Sequence, residues 1–312
     1  MNTHRFREHS ALVGLLLVMG CGANAPVSRD APRQYVPAEI QPGSGESVIS
    51  KSTPDKSNRY AAAVLIDGGQ GTCSGVLAAP RTVLTAGHCV CEQRAAQPGT
   101  HEGRTVIDKT TCIQTALVQV VTYQPKQGPT IQIIPGRVNP HEELFILYDD
   151  DEKELSSNAD IAVIALREAP QGVTPIRLAT EPVRYTQPVT LVGYGRDMPE
   201  GGIEGIRRFG SNEIASIAES GSTFLVGKPI QIQRPYKPKE MLLVREEGSY
   251  SLKGDSGGPC LRERKGILEL VGLAKTHYGG HTMVQFSEYT STYFYLEWLR
   301  QQISRSERKD SD

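Results

Sequence analysis

Three short stretches of the chain carry side chains that could cooperate in acyl transfer: Thr85-Ala86-Gly87-His88-Cys89, Asp160-Ile161-Ala162-Val163 and Gly254-Asp255-Ser256-Gly257-Gly258-Pro259. A serine hydroxyl becomes an effective nucleophile when a base removes its proton, and imidazole suits that task near neutral pH. A carboxylate is then needed to fix the imidazole tautomer and stabilise its cation. The expected roles are Ser256 as nucleophile, His88 as base and Asp160 as the group that orients His88. Glycines around Ser256 permit a tight turn in which the backbone N–H groups of Gly254 and Ser256 point at the oxygen that turns negative in a tetrahedral intermediate. A side chain at position 254 would obstruct that geometry. Singly, these residues have blander readings: a lone histidine packs in a core, and a lone aspartate before an apolar strand closes a turn. Their joint occurrence with a glycine-rich serine loop points to covalent hydrolysis.

The motifs, in the order His, Asp, Ser, resemble those of the chymotrypsin-like (trypsin-type) serine proteases, and the similarity runs from about Val48 to Ile303. Cys73-Ser74-Gly75-Val76-Leu77, Leu191-Val192-Gly193-Tyr194-Gly195 and Leu270-Val271-Gly272 agree with it, and Tyr289-Thr290 with Tyr295, Trp298 and Leu299 resembles the family's closing helix. The resemblance implies an all-β fold of two six-stranded antiparallel barrels with a C-terminal helix. His88 and Asp160 would belong to the first barrel and Ser256 to the second, with the crevice between them as the site. It implies a serine endopeptidase acting on proteins or peptides through an acyl-enzyme, without a cofactor. A catalytically silent binding protein and a secreted esterase are the competing classes; silent relatives usually lose a triad residue, and all three are present here.

The resemblance also implies a Cys73–Cys89 bridge closing the loop that carries His88, and an activation step. Asp255 would be buried and pair with an α-ammonium released by a cut near Val48 and Ile49, a Lys or Arg side chain being the alternative partner. Substrate choice departs from the family pattern. Tyr250 stands six residues before Ser256, where a trypsin-type enzyme has aspartate, and Lys275-Thr276-His277 replaces Ser-Trp-Gly. A preference for Arg or Lys is therefore not supported; Lys253, Lys275 and His277 around the pocket lead to an expected preference for acidic or small side chains.

Composition narrows the rest. Lys plus Arg (34) nearly balance Asp plus Glu (35) over 312 residues, a net charge of −1 that offers no broad attraction to nucleic acid or anionic membrane. Arg5 and Arg7 followed by the apolar run Ala11–Met19 read as an export signal over residues 1–20, and Val18-Met19-Gly20-Cys21 resembles a bacterial lipobox with Cys21 as the lipidated residue. The expected locale is outside the cytoplasm, on a membrane only through that lipid or released, as a monomer. Residues 21–47 read as a tether, 48–303 as the protease domain and 304–312 as a charged, frayed tail. Six cysteines suit an oxidising compartment. Cys91 and Cys112 could pair, though sequence leaves connectivity open, and Cys260 would then be a buried small hydrophobe. His101, His141, His277 and His281 lack metal-ligand spacing, and Asp149–Glu152 reads as a solvated loop, so no metal is assigned.

Glycine (31) and proline (20) punctuate short apolar runs, the pattern of many strands. Strands are expected at 61–66, 74–79, 82–85, 115–123, 131–134, 161–166, 189–194, 224–232, 241–244 and 267–273. A helix is expected over 292–303, with Tyr295, Leu296, Leu299 and Ile303 on one side. No repeat appears at solenoid or propeller periods.

Overall fold

Short strands with one apolar face bury that face best by pairing edge to edge until the sheet closes, which also removes open edges. The computed structural model describes residues 49, 51–68, 71–97, 99, 101–125, 128–195, 206–229, 244–245, 248–278 and 286–308. The export signal, the tether, Cys21 and Val48 lie outside the described residues, as do residues 230–232 and 241–243 of the expected strands.

The first barrel comprises β1 (Ala63–Asp67), β2 (Thr72–Ala79), β3 (Thr82–Thr85), β4 (Thr115–Gln124), β5 (Gly128–Pro140) and β6 (Ala162–Leu166). Neighbours run β6-β3-β2-β1-β4-β5, and β5 pairs with β6 to close the ring. The second comprises β7 (Pro188–Gly193), β8 (Arg208–Ile217), β9 (Thr223–Val226), β10 (Pro259–Arg264), β11 (Ile267–Tyr278) and β12 (Phe286–Ser291). Its neighbours run β8-β7-β10-β11-β12-β9, with β8 and β9 paired. Both rings have the same cyclic order, a repeat of topology that the sequence does not display.

Alternation fills each interior. On β4, Ala116, Val118 and Val120 point inward against Val64, Ile66, Leu84 and Val163. The second core packs Ile49, Leu191, Ile214, Phe224, Val271 and Tyr289, with the Phe224 and Tyr289 rings stacked at 5.7 Å. Each such side chain contributes roughly 1.5–3 kcal/mol by leaving water. Val192, Tyr194, Leu261, Leu270 and Leu273 of the second half join the first barrel's cluster, so apolar contact fuses the barrels. Cys260 lies in the second core, and burial pushes its thiol pKa well up, which makes it the expected inert hydrophobe.

A buried ion pair reinforces the seam. Thr53–Pro54 adds to β8, and just beyond it Asp55 meets Arg207, both side chains fully buried, at 2.9 Å. Arg207 also donates to the Val121 carbonyl at 2.7 Å and the Tyr194 hydroxyl at 3.1 Å, while Asp55 accepts the Arg59 and Tyr60 N–H groups. Every strong polar group there has a partner, the condition under which a buried pair is tolerated. Disulfides Cys73–Cys89 and Cys91–Cys112 are both formed.

The connections β3–β4 and β5–β6 supply a four-stranded side sheet, in the order Glu154–Asn158, Phe145–Tyr148, Thr105–Asp108, Arg94–Ala95. Helix α1 (Leu296–Glu307) buries Leu299 and runs four residues beyond the expected Ile303. The frayed-tail expectation is corrected over that turn: the Glu307 carboxylate accepts the Arg81 N–H at 2.9 Å and the Thr82 hydroxyl at 2.8 Å, tying the helix end to β3.

Candidate active site

His88 sits in a single 3-10 turn, Gly87–Cys89, directly after β3, and the Cys89 disulfide anchors that turn to β2. Asp160 immediately precedes Ile161 and β6, which pairs with β3. Strand pairing thus fixes both residues at one end of adjacent strands. The Asp160 carboxylate accepts the His88 backbone N–H at 2.9 Å and binds ring Nδ1 at 2.8 Å. An ionised carboxylate only accepts, so Nδ1 carries the proton and Nε2 is left as the acceptor. Burial works against the imidazolium, but the charge and hydrogen bond of Asp160 outweigh it and hold the His88 pKa above the ordinary histidine value. Burial also opposes the Asp160 anion, yet His88 keeps that carboxyl below its usual range.

The serine loop comes from the other half. Gly257 N–H donates to the Ala274 carbonyl on β11 at 2.7 Å, and the Ser256 carbonyl accepts the Ser74 N–H at 2.8 Å. Gly257 has φ +76°, and a Cβ there would stand 2.2 Å from the Thr85 hydroxyl and 2.9 Å from the Ala86 nitrogen. Only glycine lets the loop lie this close to the strand end that carries His88. Ser256 is half-buried, and among the described residues its hydroxyl makes no hydrogen bond to His88; such bonds are often long without substrate and tighten when it binds.

Gly254 has φ +94°, and a Cβ would come within 2.9 Å of the Gly195 Cα, so the expected intolerance of a side chain has two causes. Its carbonyl accepts the Ser74 hydroxyl at 2.9 Å, and the N–H of the same peptide, that of Asp255, donates to the Leu252 carbonyl at 3.0 Å. Among the described residues neither the Gly254 nor the Ser256 N–H has an acceptor. Ser74 therefore holds two carbonyls of the loop. The sequence displayed it only as the neighbour of Cys73, and nothing in its local pattern marks that role.

Asp255 is buried, and its carboxylate accepts the Gly195 N–H at 2.9 Å and the Leu252 N–H at 3.0 Å. Ile49 is fully buried in the second core beside Gly210 and Ser249.

The pocket expectations divide. Tyr250 and His277 stack face to face, centroids 5.2 Å apart and planes 13° apart, which joins the segment before Ser256 to β11. Lys275 does not face substrate as a free charge, contrary to expectation: it is buried and pairs with Glu154 at 2.8 Å and Glu288 at 3.3 Å. His277 is not a cation near neutral pH either, since burial pulls its pKa down. Lys253 alone of the three is exposed. Glu154 and Glu288 had no sequence signal, because the fold alone brings the side sheet and β12 to Lys275. The ligand atoms of Cys73, His88 and Cys89 lie within 4.8 Å of one another, but both sulfurs are in the disulfide and offer no thiolate to a metal.

Two closed six-stranded antiparallel barrels, with a His–Asp pair from one and a glycine-rich serine loop from the other, define the class of trypsin-like serine proteases. The family profile described as Trypsin matches residues 48–299, and the chain belongs to that family. A trypsin of Saccharopolyspora erythraea is 26% identical over 250 residues, 78% of this chain and 92% of that protein. The solved structure of neuropsin, a serine protease expressed in the limbic system of mouse brain, is 18% identical with a TM-score of 0.55, over 82% of this chain and 100% of that one. The latter is a likeness of fold.

Proposed function

We propose that the protein is a serine endopeptidase in which Ser256, His88 and Asp160 act as the triad. The observation that carries this reading is the double grip of Asp160 on His88, beside a serine loop with two unused N–H groups. His88 Nε2 takes the Ser256 proton as Oγ attacks the scissile carbonyl, and the Gly254 and Ser256 N–H groups receive the oxyanion. His88 then gives the proton to the leaving amine, and water, activated by the same Nε2, hydrolyses the acyl-enzyme. Incubating the purified protein with a peptide library tests this: new termini should accumulate with wild type and not with Ser256→Ala. A binding protein would leave the library intact, and an esterase would cut ester substrates only.

On this reading the Tyr250–His277 stack narrows the cleft beside Ser256, which favours a small side chain on the acyl side of the cut bond. Lys253 is the remaining positive charge that could add acceptance of an acidic one. Cleavage after Arg or Lys with none after small or acidic residues would overturn the assignment.

Activation and location belong to the same proposal. A cut before Ile49 would free an α-ammonium for the Asp255 carboxylate, and the burial of Ile49 in the second core supports a terminus held there. The lipid on Cys21 would hold the exported precursor at a membrane, and the cut would release it. N-terminal sequencing of the active species decides: a start at Ile49 or Val48 agrees, and activity in protein still beginning at Cys21 contradicts it.

A further inference from the structure

Lys275 occupies an irregular point in its strand. In the β11–β12 ladder, Ala274 faces Tyr289 and Thr276 faces Glu288, so Lys275 is the extra residue of a bulge. Its first partner, Glu154, borders a second bulge, where Glu154 faces Tyr148 and Ser156 faces Leu147. Bulges re-aim side chains out of the regular alternation. Here they turn an ammonium from the second barrel and a carboxylate from the side sheet toward each other, 2.8 Å apart, with Glu288 of β12 completing the cluster at 3.3 Å.

The cluster lies behind the His88–Asp160 pair. Lys275 and Asp160 line one cavity of about 20 Å³, together with Thr290 and Tyr295. That is room for a single water molecule, and the Lys275 and Asp160 side chains are buried, so water screens their interaction little. The Thr290 hydroxyl donates to the Asp160 carbonyl at 3.2 Å, which holds the aspartate against β12 two residues from Glu288.

We propose that Lys275, clamped by Glu154 and Glu288, is a positioning residue that fixes Asp160 and His88 across the barrel interface and balances the charge around the imidazole. The proposal rests on the triad reading for its catalytic meaning, but the electrostatic claim stands on the fold alone.

The charged and titratable groups around His88 are Asp160, Glu154, Lys275, Glu288, and the phenols Tyr148 and Tyr295. Burial and nearby carboxylates push both phenols up, so they stay neutral. Burial disfavours the Lys275 cation, but Glu288 and Glu154 outweigh it and keep it charged. Lys275 works against the His88 cation and Glu154 favours it. Removing each therefore moves the imidazole in opposite directions, which shows that both charges reach it.

The test is an NMR titration of the His88 ring in full-length protein carrying Ser256→Ala, which needs no turnover. Glu154→Gln keeps the side-chain shape and leaves Lys275 paired with Glu288; the His88 midpoint should fall. Lys275→Met should raise it, and adding Glu154→Gln should reverse part of that rise. Glu263→Gln, which removes an exposed carboxylate paired with Arg59, is the control and should leave the midpoint unchanged. In the Ser256 parent, the acid limb of kcat/KM should follow the same shifts, with a loss of about tenfold or more for Lys275→Met through misplacement of Asp160. A midpoint that does not fall in Glu154→Gln overturns the proposal, even if Lys275→Met does not fold. Absence of peptidase activity with the shifts intact would instead overturn the triad reading.

Discussion

The Ser74 hydroxyl donates to the Gly254 carbonyl at 2.9 Å, joining the first barrel's β2 to the loop that presents the serine. The same oxygen accepts the Tyr194 N–H at 3.0 Å, so one side chain fixes a peptide of the serine loop and a peptide of the segment after β7. Ser74→Ala leaves that buried N–H without its acceptor and removes one of the two bonds by which Ser74 ties the serine loop to β2. A stability loss of about 1–3 kcal/mol is expected. A peptide assay should show kcat falling about tenfold or more with KM little changed, because the oxyanion contact strengthens only in the transition state.

Asp160→Asn keeps the size of the side chain but replaces an acceptor-only group with an amide that can donate. The His88 tautomer then inverts, and kcat should fall about 10⁴-fold. Steady-state kinetics and a melting curve together separate this from unfolding.

The His88 pKa lies above the ordinary histidine value, and the base must be neutral to accept the serine proton. The acid limb of kcat/KM should therefore sit above about pH 6.5, with activity lost as pH falls through it. A pH–rate profile whose limb lies below that value would disagree with the buried Asp160 pairing.

Asp55 and Arg207 govern stability away from the site. Burial disfavours the Asp55 anion, but the Tyr60 N–H and Arg207 outweigh it and lower its pKa. A carboxyl depressed in the folded state stabilises above its unfolded pKa, about 3.9, and that contribution disappears as pH falls through the folded value. Asp55→Asn should cost about 3–5 kcal/mol at neutral pH by leaving Arg207 buried without its counter-charge. Denaturant melts at pH 7 and pH 3 check this: the gap between variant and wild type should narrow on acidification.

Tyr250→Ala removes the ring that stacks on His277 and, on the proposed reading, widens the cleft beside Ser256. Library profiling is expected to show cleavage after larger side chains than wild type accepts, with the triad chemistry retained.

Much of the barrel framework was legible because β3, β4 and β6 are runs of apolar residues whose period a sequence displays. β8 (Arg208–Ile217) was not, since its inward positions mix Gly210, Asn212 and Ser216 with apolar ones. β10 and β12 were hidden likewise, because their buried positions include Arg262, Ser287 and Glu288. At the site, the three motifs pointed to His88, Asp160 and Ser256, each by a short local pattern, and the fold joins the first two by hydrogen bonds. Lys275 was misread as a substrate contact because its partners, Glu154 and Glu288, lie 121 and 13 residues away and reach it only after the bulges form. The lone cation in the sequence is a neutralised one in the fold.

Activation of Ser256 by His88 and Asp160 is read by fluorophosphonate labelling with peptide mapping, since the probe reacts with an activated serine. One adduct on Ser256 is predicted in the active protein, absent in Ser256→Ala and reduced by orders of magnitude in His88→Ala with the melting temperature preserved. Undiminished labelling of Ser256 in a folded His88→Ala protein, or no labelling of Ser256 in protein processed to Ile49, would rule out that activation.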